Sequence, residues 1–74
     1  MNVYVVLTNY FTNNFFGVYS SFKKAQIAIY QFVENDDRIA TFEKIKDGFY
    51  EIVTHNGNHY TIEIHWDVLD EEDE

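Results

Sequence analysis

An α+β fold of order β-β-α-β-β-β, one mostly antiparallel twisted sheet with a single helix on one face, follows from three observations. Only residues 22–33 hold apolar side chains at helical spacing. The stretches before and after them are β-branched, aromatic or alternating. Two turn signals, Asp47-Gly48 and Asn56-Gly57, punctuate the later stretches. The chain has 74 residues and no linker-like segment, so residues 1–69 read as one domain and residues 70–74 as an acidic tail.

Val3-Tyr4-Val5-Val6-Leu7 is apolar on both parities, which predicts a central strand covered on both faces. Thr12-Asn13-Asn14 is a turn cluster, and Phe15-Phe16-Gly17-Val18-Tyr19 reads as the returning strand of a hairpin. Ser20 and Ser21 are N-cap candidates. Phe22, Ala25, Ile29 and Phe32, widened by Ala28 and Val33, form the stripe of an amphipathic helix. Its charges oppose the macrodipole: Lys23 and Lys24 stand in the first turn, and Glu34, Asp36 and Asp37 at or beyond the end.

Ile39 to Lys46 is of mixed polarity and predicts an edge strand. Asp47-Gly48 predicts a type I′ turn with Lys44 opposite Glu51. Phe49 to His55 is the fourth strand. His59 to Val68 is the fifth, with Tyr60, Ile62, Ile64, Trp66 and Val68 on one face and His59, Thr61, Glu63, His65 and Asp67 on the other. A two-residue loop at Asn56-Gly57 would turn Glu51 inward. A three-residue loop, His55 to Gly57, pairs Tyr60 with Ile52 and Ile62 with Tyr50 and keeps Glu51 outside. The second register is the expected one.

Apolar residues make up 46% and aromatics 19%, too many for a disordered chain. Seven Phe, six Tyr and one Trp supply bulk for a small core, and the tyrosines are expected in that core and at its rim. Cysteine is absent, which excludes disulfides, thiolate metal sites and cysteine nucleophiles. No phosphate loop, dinucleotide fingerprint or nucleophile elbow is present, so no catalytic residue and no cofactor is assigned. His59, Glu63, His65 and Asp67 share a strand face. Neighbours two apart on a strand stand roughly 6.5–7 Å apart, so a metal would need ligands from other strands, and none is assigned. The N-terminus lacks a basic leader pattern and the longest apolar run is Val3 to Leu7, so a soluble cytoplasmic protein is expected.

The net charge of -8 is unevenly spread. Residues 1–46 hold four acids and all five bases, whereas residues 47–74 hold nine acids and no Lys or Arg. Such a field repels nucleic acid and anionic lipid and attracts basic proteins. The plainer reading is a solvating tail. The functional reading assigns partner binding to Glu51, Glu63, Asp67, Asp70, Glu71, Glu72, Asp73 and Glu74, whose carboxylates would stand in for phosphates on a basic groove.

Val3-Tyr4-Val5-Val6, Gly17-Val18-Tyr19-Ser20-Ser21 and Lys24-Ala25 together resemble small acidic proteins of phages and bacterial mobile elements, over about the first third of the chain. That resemblance implies a non-enzymatic inhibitor of a basic, nucleic-acid-processing host protein, such as a CRISPR or other defence nuclease. It assigns no role residue by residue. The alternative is a structural or regulatory homo-oligomer with a solubilising tail.

Overall fold

The computed structural model describes residues 2–68. The elements are β1 (Asn2–Thr8), β2 (Phe15–Tyr19), α1 (Phe22–Asn35), β3 (Ile39–Lys46), β4 (Phe49–Thr54) and β5 (His59–Val68). All five strands join one antiparallel sheet in the order β2-β1-β5-β4-β3. The fold is therefore α+β, in the expected element order. The last strand lies in the middle, zipped between the first strand and the fourth.

α1 forms where the apolar spacing changes to the helical period. Ser21 caps it, its hydroxyl accepting from the Lys24 amide. Ala25 and Ile29 are fully buried beneath it, among Val6, Tyr50, Ile52 and Ile62. Those six residues are the core, and they come from β1, α1, β4 and β5.

Beside the Tyr4–Phe22 contact at its start, two larger groups of aromatic residues hold the helix to the sheet. At its C-terminal end Phe32 meets Tyr10, Phe11 and Phe16 edge-on, at 5.8, 5.5 and 5.3 Å between ring centroids. On its other flank Tyr30 stands edge-on to Phe42 at 5.5 Å, and Phe42 stacks on Tyr50 at 5.3 Å. Tyr50 is buried, and its hydroxyl accepts from Gln26 Nε2 at 3.2 Å.

The second hairpin takes the expected register: Tyr60 pairs with Ile52 and Ile62 with Tyr50. A three-residue loop closes it, with Gly57 at φ 89° and the Thr54 amide donating to Asn58 O at 3.0 Å. β4 ends at Thr54, one residue before the expected end at His55.

The first hairpin of this half differs from expectation. Lys44 pairs with Tyr50, and Glu43 stands opposite Glu51. Of the two turn residues only Gly48 takes positive φ, at 78°, whereas a type I′ turn needs both. An irregularity between Lys44 and Lys46 absorbs one residue and shifts the pairing. Lys44 reaches Asp47 instead, at 2.8 Å.

β1 also differs. It lies inside the sheet, but helix cover reaches one face only. Tyr4, Val6 and Thr8 point to the α1 side, and Leu7 on the opposite parity is 37% exposed. Trp66 shares the α1 side with Ile62 and Ile64 yet is 62% exposed. It stands beside Tyr4, where the helix only begins. Among the described residues no helix is long and apolar enough to cross a membrane.

Candidate protein-binding face

Among the described residues the five-stranded sheet, with one helix packed on it, has one face without a second layer. Strand pairing fixes which side chains occupy it. Val5 stands between Val18 on β2 and His65 on β5, and Leu7 stands between Phe15 and Glu63. Val3 stands beside Asp67. Glu63 stands next to Phe49 on β4, and Glu51 next to Thr61 on β5. The period of two along each strand therefore places Glu51, Glu63 and Asp67 on the same open face. Three of the expected binding residues thus share one face, Glu51 and Glu63 as diagonal neighbours and Asp67 four residues further along β5. Asp70, Glu71, Glu72, Asp73 and Glu74 lie outside the described residues.

Both glutamates have histidine neighbours. His65 Nε2 is 2.7 Å from Glu63 Oε1, and His59 Nδ1 is 3.2 Å from Glu51 Oε2. These four side chains are partly or largely exposed, so each pair lies within reach of solvent and of a docking surface. Glu43 adds a further carboxylate opposite Glu51. Among the described residues no group of three His, Asp or Glu side chains is arranged to hold a metal ion.

The face has a second, apolar half that the acidic count did not single out. Leu7, Phe15 and Val18 are 37%, 44% and 52% exposed, and Val3 and Val5 are half-buried beside them. A signal for it exists in the sequence: the first charged residue of the chain is Lys23, so β1 and β2 carry no charge. Two hollows open on either side of Glu63. One, of about 510 Å³, is lined by Leu7, Asn9, Asn13, Phe15 and Thr61 along with Glu63 itself. The other, of about 310 Å³, is lined by Lys46, Gly48, Phe49 and His65.

The opposite side of the molecule carries a charged node that spacing alone did not reveal. Asp36 caps the C-terminus of α1. It accepts from the Arg38 amide at 2.9 Å, from Arg38 Nε at 3.0 Å and Nη2 at 2.9 Å, and from the Tyr10 hydroxyl at 3.2 Å. The Arg38 hydrogen bonds hold its carboxyl down at about 2. Arg38 also lies over the Tyr10 ring, 5.2 Å from its centroid. Burial, reinforced by the bond to Asp36, pushes the Tyr10 phenol up. The carboxylate that opposes the helix dipole is thus engaged locally, and the node ties the β1–β2 loop to the helix end.

Comparison of the chain with protein-family models, with curated proteins and with solved structures finds no match.

Proposed function

We propose that this is a non-enzymatic binding protein that acts in a cytoplasm by docking its open sheet face on a basic protein surface. The partner of best fit is a nucleic-acid-processing protein, whose Lys and Arg side chains would meet carboxylates in place of phosphates. Inhibition of a defence nuclease encoded by a phage host is the specific form that the resemblance of the first third suggests.

One observation carries the reading: Glu51, Glu63 and Asp67 share a face that nothing among the described residues covers, with pairing partners that fix their places on it. Glu51 and Glu63 are diagonal neighbours, roughly 7–8 Å apart, and Asp67 continues the row four residues, about 13 Å, further along β5. The charge excess of residues 47–74 adds long-range attraction for a basic partner.

The test is a calorimetric titration with poly-lysine at low and high salt, on the natural protein and on the triple variant E51Q/E63Q/D67N. The reading expects binding that weakens steeply with salt and with the three substitutions. Binding indifferent to both would sink it. Capture from a bacterial lysate at the same two salt concentrations, followed by mass spectrometry, would then identify the natural partner.

A second reading, a homo-oligomer joined at the β2 edge, draws on that strand's lack of charge and its exposed Phe15 and Val18. It expects a mass above that of the monomer in light scattering at every salt concentration.

A further inference from the structure

Over β2, β1 and β5 the open face presents three adjacent rows of side chains. β2 contributes Phe15 and Val18, β1 contributes Val3, Val5 and Leu7, and β5 contributes Glu63, His65 and Asp67. Two apolar rows thus lie beside an acidic one. An antiparallel sheet face that remains in water ordinarily carries polar residues, so the apolar rows call for a cover. Among the described residues nothing provides one.

The dimensions specify the cover. Three strands at about 4.8 Å spacing span roughly 10 Å from β2 to β5, which matches the roughly 10–12 Å diameter of an α-helix with its side chains. Val3 to Leu7 runs about 14 Å along β1, the length of roughly nine or ten helical residues. α1 already covers the other face of the same strands in this manner. The charge specifies the chemistry. A helix lying along β1 would set one stripe of side chains over the apolar rows and its flank over Glu63 and Asp67. That flank must be basic. The hollow at Glu63 suits one such side chain: Leu7 and Phe15 offer apolar walls to an alkyl stem, and the carboxylate meets the head.

We infer that the partner presents a basic amphipathic helix to this face, its apolar stripe on Val3, Val5, Leu7 and Val18 and a lysine or arginine in the hollow at Glu63. This rests on the docking function proposed above and specifies the partner's form. A second copy of the chain is less suited, because its β1, β2 and β5 carry no Lys or Arg to meet Glu63 and Asp67.

The experiment is a chemical-shift titration of the isotope-labelled full chain with three synthetic peptides. The first is a Leu/Lys amphipathic helix, the second the same pattern with Glu for Lys, the third a scrambled Leu/Lys sequence. The inference expects the first peptide to shift Val5, Leu7, Val18 and Glu63, and the other two to bind at least about tenfold more weakly. Leu7→Lys should weaken binding of the first peptide about tenfold or more, and Val18→Thr, a near-isosteric change on an exposed strand position, several-fold. Glu63→Gln should reduce the salt dependence of that binding. Equal binding of the Leu/Glu peptide, shifts confined to α1, or shifts at Leu7 and Val18 that follow the protein's own concentration would each overturn it. If poly-lysine shifts Glu51 and Glu63 while the amphipathic peptide adds nothing at Leu7 and Val18, the helix is wrong and acidic docking stands. If poly-lysine shifts neither, both fall.

Discussion

Asp36→Asn keeps the shape of the helix cap and removes its charge. The natural carboxylate receives three hydrogen bonds from Arg38 and one from Tyr10. Its pKa falls from 3.8 to about 2. Each unit of difference between folded and unfolded chains corresponds to about 1.4 kcal/mol, so the network contributes at most about 2–3 kcal/mol. The Arg38 side chain is 73% exposed, which screens the ion pair, and about 1 kcal/mol is the realistic loss. The folded pKa lies below the unfolded one, so this stabilisation is complete above the unfolded value near 4. It drains away as pH falls through the folded value near 2. Urea denaturation of both proteins from about pH 7 downward reads the difference directly, and the contributions of the other acids largely cancel in it. The gap should be about 1 kcal/mol near neutrality and close toward zero near pH 2. A gap that stays constant over that range would mean that the charge of Asp36 is not what Arg38 and Tyr10 hold.

Ile29→Ala should destabilise the protein by about 2–4 kcal/mol in the same denaturation, because Ile29 is fully buried between α1 and the sheet. Glu43→Lys should stabilise it by roughly 0.2–1 kcal/mol, since it replaces a like-charge pair with Glu51 by an opposite one. An unchanged or lower midpoint would argue for a different β3–β4 register. Gly57→Ala should cost about 1 kcal/mol, because φ 89° is unfavourable for any residue with a Cβ, even though no atom crowds the position.

The local pattern of the chain carried most of the fold. The stripe Phe22, Ala25, Ile29 and Phe32 placed α1, and the alternation from His59 to Val68 placed β5. The register at Gly57 could be read because a one-residue slip would have buried Glu51. The register at Gly48 could not. β4 alternates cleanly, with Tyr50, Ile52 and Thr54 buried, but β3 is exposed from Glu43 to Lys46, so little burial on that strand selects a pairing next to the turn, and an irregular residue near Ile45 costs little. β1 misled for a related reason. Apolar residues on both parities predict cover on both faces, but composition does not say whether that cover comes from the same chain. The acidic half of the open face was visible as a charge count. The apolar half was hidden among residues taken for core, and only the side on which α1 packs separates Val5 and Leu7 from Val6. The Asp36–Arg38–Tyr10 node needs the β1–β2 loop brought to the helix end, a contact 26 residues apart for Tyr10 and Asp36.

Docking of a partner requires one side of the sheet to be accessible. Solvent paramagnetic relaxation tests this on the free protein, with a neutral soluble agent and methyl-labelled Val, Leu and Ile. Leu7 and Val18 should broaden strongly and Val5 measurably, while Val6, Ile29, Ile52 and Ile62 stay sharp. Protection of Leu7 and Val18 equal to that of Val6 would mean that the face is already covered, and the proposed docking surface would not exist.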